Sequence, residues 1–176
     1  YGIPFIVMEP AKTEYRALKN LPNFNESMLV FTVGNERISP FRYNPFEILD
    51  GVSVAEHISV LNTCFVGAFN LFDPLPMILD EAIREIYFDN GWSEYDVGGD
   101  DPTLEPPTLE NLFAKAVEIA GGSSYRGETA GNIRGALETR LGSLLRGPKG
   151  RCLNVRKSVP VDILMTRPVI MELDAL

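Results

Sequence analysis

The first sixteen residues constrain the fold most. Five of the six residues from Ile3 to Met8 are apolar, and the run then breaks into Glu9, Lys12, Glu14 and Arg16. A short unbroken apolar run of this kind predicts a strand buried on both faces, as in a parallel sheet. In open α/β sheets, ligands bind just beyond the carboxyl ends of the strands. The four charged side chains are therefore candidate site residues, with a solvated turn as the plainer alternative.

The rest of the chain alternates between two further strand patterns and a long helical stretch. Residues 13–21 predict a short helix stopped at Leu21-Pro22-Asn23, and Met28–Val33 predicts a second strand. Pro40 and Pro45 favour an extended connection, with Phe41, Tyr43 and Phe46 anchoring it on a core. Ser53 and Glu56 fit the ends of a capping box, and Val54, Ile58, Leu61, Phe65 and Phe69 recur at helical spacing. A second helix starts at Asp73-Pro74 with Met77, Ile78, Ile83, Ile86 and Tyr87 as its apolar side, and Gly91 follows its end. The two helices are expected to pair as a hairpin.

Residues 92–107 hold five acidic residues and no basic one, without the ligand order of an EF-hand, and predict a mobile acidic loop. A third helix is capped by Thr108 and stops at Gly121-Gly122. A fourth spans about residues 128–146 and ends at Gly147-Pro148, with Ala130, Ile133, Leu137, Leu141 and Leu144 as its stripe, and Cys152 follows in a basic turn. On that helix Arg134 meets Glu138 at i,i+4. Arg140 falls roughly 20° from Ile133 and has no acidic residue at i±3 or i±4. Arg140 therefore either snorkels to solvent or reaches a phosphate or a neighbouring subunit. A helical turn near residues 161–165 and a strand over 168–173 close the chain.

Composition narrows the function classes. With 45% hydrophobic and 23% charged residues, the 176-residue chain is long enough for an ordinary globular core. No apolar stretch approaches the roughly 18 residues of a membrane span, and no signal peptide is evident, so no membrane partner and a cytoplasmic location are expected. The chain starts at Tyr1 and stops just after an apolar strand, which suggests an internal piece of a longer protein. Cys64 and Cys152 make no metal-binding spacing and are expected to be free thiols. The lone histidine, His57, is expected to be a partly exposed helix residue, and no metal site is expected.

The net charge of −8 is unevenly spread. Residues 1–120 carry 7 basic and 19 acidic side chains, whereas residues 121–167 carry 9 basic and 3 acidic. The overall acidity argues against the chain wrapping nucleic acid by itself. The basic block can face phosphates, the acidic block of a neighbouring copy, or solvent.

Several segments resemble one family. Glu9-Pro10-Ala11-Lys12-Thr13-Glu14-Tyr15 resembles the turn closed by Glu-Tyr after a core strand in HerA/FtsK-like P-loop ATPases. Met28–Val33 followed by Ser39-Pro40-Phe41-Arg42-Tyr43-Asn44-Pro45-Phe46 is similar to that family's strand and Asn-Pro turn. Arg167–Asp174 resembles the strand before its Walker B strand, and Gly135–Gly147 a helix of bacterial members. The family more often has Asp where Glu9 stands, and a slightly shorter turn before Glu-Tyr.

The resemblance implies an α/β fold: a partial RecA-like P-loop NTPase sheet (residues 1–50 and a returning strand at 161–176) carrying a largely helical insertion (51–160). It implies a hexameric, DNA-translocating motor using ATP and Mg²⁺. Glu9 and Glu14 would lie near the γ-phosphate or attacking water with Lys12 and Arg16 beside them, and Arg140 or Arg134 would act across a subunit boundary. No GxxxxGK[ST] occurs in the chain, and Gly147-Pro148-Lys149-Gly150-Arg151 is not one. This segment alone is therefore expected to be inactive. The alternatives are a stand-alone helical interaction module without nucleotide chemistry, or an enzyme complete in itself, with Glu9 and Glu172 ending adjacent strands so that the charged turn after the first meets the same crevice as Glu172.

Overall fold

The computed structural model describes residues 3–122 and 126–176 and resolves into two compact units. One comprises residues 1–43 and 146–176, the other residues 44–145.

The first unit is built on a three-stranded parallel sheet. β1 (Ile6–Glu9), β2 (Leu29–Thr32) and β3 (Val169–Glu172) lie in the order β1-β3-β2. The last strand in sequence thus inserts between the first two. Its register pairs Ile6 and Leu29 with Val169, and Glu9 and Thr32 with Glu172. The ladders run past the strand ends: the Leu173 amide donates to the Glu9 carbonyl and the Val33 amide to the Glu172 carbonyl, both at 2.9 Å. Parallel strands cannot be joined by a tight hairpin, so the β2–β3 return requires a long crossover.

Burial corrects one expectation. The strand buried on both faces is β3, whose four residues are all buried, not β1. β1 borders the sheet, and Met8 is 66% exposed. β2 is screened instead: the Thr32 amide donates to the Ser39 carbonyl at 2.9 Å and Ser39 Oγ to the Val30 carbonyl at 2.6 Å. The intervening reversal needs Gly34, with φ +89°, because a Cβ there would lie 2.8 Å from Pro148 Cβ.

One face of the sheet packs Val169 and Met171 against Val33, Phe41, Cys152 and Leu164. Phe41 meets Phe31 edge-on at 5.2 Å between ring centroids. Tyr43, expected to anchor alongside, stays exposed and stacks on Phe41. The 41–43 segment is held on both sides, the Tyr43 amide donating to the Cys152 carbonyl and the Val159 amide to the Arg42 carbonyl. Cys152 lies on α5 (Gly147–Leu153), where the sequence reading has only a turn, and Leu164 on α6 (Val161–Thr166). A 3₁₀ helix, Glu14–Asn20, follows β1 where a short helix is expected.

Among its described residues the second unit holds four helices, each packed on the next: α1 (Val54–Phe69), α2 (Leu75–Asp89), α3 (Leu109–Gly122) and α4 (Gly127–Leu144). Ser53 caps α1, its Oγ accepting from the Glu56 amide at 3.2 Å. The apolar face of α1 is the expected one. On α2, Met77 points outward, 70% exposed, and Leu75, Leu79 and Ala82 join Ile78, Ile83, Ile86 and Tyr87 inside.

The Asn-Pro turn enters this unit through Asn44. Its side chain is buried, accepting from the Phe46 amide at 3.0 Å and donating to the Pro107 carbonyl at 2.9 Å. His57 is half-buried with Nε2 2.9 Å from the Pro45 carbonyl, and burial lowers its pKa. Both cysteines are free thiols.

The acidic loop is tied down rather than loose. The Gly51 amide donates to the Gly98 carbonyl, the Gly98 amide to the Val52 carbonyl, and Trp92 Nε1 to the Glu105 carbonyl. Gly98 fits only without a side chain, since a Cβ would lie 2.3 Å from the Leu49 carbonyl oxygen.

The buried hydroxyl of Tyr87 donates to the Phe46 carbonyl at 2.7 Å and so joins α2 to the entry of this unit. Tyr87→Phe is expected to destabilise the chain by about 1 kcal/mol, the net worth of one such bond, as measured by urea unfolding. No loss of stability would show that the bond contributes nothing.

Candidate functional site

Register brings the site together. Glu9, Glu172 and Thr32 occupy the last positions of the three strands and are paired across the sheet. Paired residues of parallel neighbours point to the same face, so two carboxylates and a hydroxyl form a row at the carboxyl edge. The turn after β1 and the 3₁₀ helix then bring Lys12, Glu14 and Arg16 to the same end.

The centre of the row is an ionic cluster. Glu172 is fully buried, and Arg16 grips it at both oxygens, Nε to Oε1 at 3.1 Å and an Nη to Oε2 at 2.5 Å. Thr32 Oγ1 donates to Oε2 at 2.9 Å and accepts from the same Arg16 nitrogen at 2.6 Å. A carboxylate taken out of water is tolerated only when paired and hydrogen-bonded, and a forked guanidinium meets both oxygens at once. The Arg16 hydrogen bond, followed by that of Thr32, holds the Glu172 carboxyl below its ordinary range against the opposing pull of burial. The Arg16 guanidinium is correspondingly held charged.

The other strand-end residues face water. Glu9 is half-buried at the β1 edge, and one of its carboxylate oxygens lies 3.4 Å from the Ala11 amide. Lys12 and Glu14 pair at 3.4 Å, both well exposed. Such a pair is worth little energy and leaves both groups available to a ligand. Thus Glu9, Lys12, Glu14 and Arg16 lie at one edge, but Arg16 is committed to Glu172.

Arg134 and Arg140 are on α4 in the helical unit. Arg134 Nε donates to Glu138 Oε1 at 2.8 Å, the i,i+4 pair expected from the sequence. Arg140 is half-buried, with no ion-pair partner among the described residues. Nor is there, among those residues, a group of three or more His, Cys, Asp or Glu able to hold a metal ion.

The sequence places Glu172 at the end of a strand beside the first, in the same crevice as its charged turn, and the β1–β3 pairing puts it there; its pairing with Arg16 and the part played by Thr32 are absent from that reading. The only available signal is positional: Glu172 directly follows three buried apolar residues, so its carboxylate must find a cation or a donor inside the protein.

No family model matches the chain, and no curated protein matches it. A solved structure does: VirB4 of Thermoanaerobacter pseudethanolicus, with a TM-score of 0.64 and 20% sequence identity. The match covers 97% of this chain and 60% of that one. At this identity the likeness establishes a shared α/β fold.

Arg16→Met leaves Glu172 buried without its cation and is expected to cost about 3 kcal/mol at neutral pH. Because the folded pKa of Glu172 is lowered, its contribution is fully present above the ordinary glutamate value of about 4.3 and is lost as pH falls through the lower folded value. The stability gap between wild type and Arg16→Met should therefore narrow on acidification, in urea unfolding followed across pH. A gap independent of pH would show that the ion pair is not its source.

Proposed function

We propose that this chain is a segment of a P-loop ATPase of the VirB4 type, a translocation motor of conjugation or type IV secretion systems. The observation that carries the proposal is the fold likeness to VirB4 over nearly the whole chain. The strand-end row adds chemistry at the edge where α/β sheets bind ligands. The HerA/FtsK-like motifs are compatible with this reading and supply its finer parts: a hexameric ring, DNA as the translocated polymer, and a cytoplasmic location.

ATP with Mg²⁺ is the cofactor the proposal implies, and the residues present do not make a complete site for it. The cation nearest the sheet, Arg16, is bound to Glu172, and Lys12 is paired with Glu14. The chain has no glycine-rich phosphate loop. In this proposal the loop comes from sequence outside these 176 residues, and Glu9 and Glu14 lie near the γ-phosphate or attacking water. Arg140, or Arg134 if it leaves Glu138, is the candidate to act on a neighbouring subunit's nucleotide.

The test is nucleotide binding and turnover by the 176-residue chain and by the full product of its gene. The chain is expected neither to bind a fluorescent ATP analogue tightly nor to hydrolyse ATP. The full product is expected to do both, and Glu14→Gln in it should lower turnover on the order of a hundredfold while leaving binding intact. ATP turnover by the 176-residue chain, or a full product that binds no nucleotide, contradicts the proposal. The second result would favour an interaction module.

A further inference from the structure

The helical unit has a groove that the site above does not use. It lies between α2 and α3, holds about 520 Å³, and is lined by Pro74, Met77, Ile78 and Ile119 with Glu81, Glu85 and Glu118. Met77 stands largely in solvent at its edge. Gly122 also lines it, and among the described residues nothing lies within 4 Å of where a side chain would begin at Gly121 or Gly122.

Its charge is one-sided. Lys115 Nζ lies 2.9 Å from Asp89, 3.3 Å from Glu118 and 3.5 Å from Glu85. This one ammonium meets Glu85, Asp89 and Glu118, and Glu81 also lines the groove, which leaves the groove and its surroundings net negative. An apolar floor within an acidic rim suits a segment that is apolar on one side and basic on the other.

The chain itself exposes a basic stretch followed by two exposed apolar side chains. Residues 146–161 contain no acidic side chain, and Arg146, Lys149, Arg151 and Lys157 are exposed there. Of these, Arg151 has a loose contact of 3.8 Å to Glu36. The α6 helix that follows exposes Ile163 and Met165.

We propose that the α2–α3 groove of one copy receives the basic 146–165 segment of a second copy. The two surfaces differ, so the contact is head-to-tail and each copy offers both halves. The proposal does not depend on nucleotide chemistry: a chain with no ATPase parent would associate in the same way.

The test is sedimentation velocity over a range of protein concentrations in roughly 0.1 M and roughly 1 M salt, where the screening length falls from about 10 Å to about 3 Å. Self-association is expected at the lower salt, with the dissociation constant rising on the order of tenfold or more at the higher. A triple variant with Glu81→Lys, Glu85→Lys and Glu118→Lys should be monomeric, as should one with Lys149→Glu, Arg151→Glu and Lys157→Glu. Mixing the two should restore association, because both of their contacts are again complementary. Circular dichroism checks that each variant is folded, and the milder Met77→Ser should weaken association without altering charge. A wild-type chain that is monomeric at every concentration overturns the proposal, whether or not a basic helical peptide binds the groove. So does association that both charge reversals leave unchanged, or that mixing fails to restore.

Discussion

A buried carboxylate at the end of the central strand sets the terms for the sheet unit. Glu172 has no exposed surface, and its charge is met by a guanidinium and a hydroxyl that reach it from the two flanking segments. Removing the guanidinium leaves an uncompensated charge, which costs more than a lost surface contact. The cluster is thus a condition on the register: Arg16, Thr32 and Glu172 must arrive together for the sheet to close. Because Arg16 lies two residues after Glu14 on the same 3₁₀ helix, the clamp also fixes the backbone that presents Glu14.

This arrangement separates the charged strand-end residues into two roles. Arg16 serves the fold, whereas Glu9, Lys12 and Glu14 are held at the carboxyl edge with water access. A nucleotide site at this edge would therefore find acidic groups ready and no uncommitted guanidinium on the strand-end turn. Apart from Lys12, such an edge requires its phosphate-binding groups from elsewhere, as the VirB4-type proposal supposes. The helical unit has a different economy: its consecutive helices bury a continuous apolar face, and its acidic groups are spread over α2, α3 and the tethered loop.

Local features were legible in the sequence and distant ones were not. The Ser53 cap, the α1 stripe and the Arg134–Glu138 pair each depend on residues within one or two helical turns, so spacing alone suffices. The three strands were visible as apolar runs, but a run does not reveal whether its strand is central or at the border. The β1 and β3 runs are equally apolar, and only the order β1-β3-β2 decides which is buried on both faces. The helix α5 was hidden because Gly147-Pro148 reads as a stop, although proline is equally at home in a helix's first turn. Met77 misled because an apolar residue next to a stripe looks like part of it. The Arg16–Glu172 pair spans 156 positions and leaves no periodic trace; it follows only once the strands are placed side by side.

The most direct test of the central claim is amide hydrogen exchange at Leu173 and Val33, which carry the ladder bonds of β3 to β1 and of β2 to β3 at the strand ends. If the Arg16–Glu172–Thr32 cluster holds the three ends as one unit, Arg16→Met should lower the protection of both amides together, by roughly a hundredfold for a loss of about 3 kcal/mol. Unchanged protection at both, or a loss at Leu173 alone, would contradict the account.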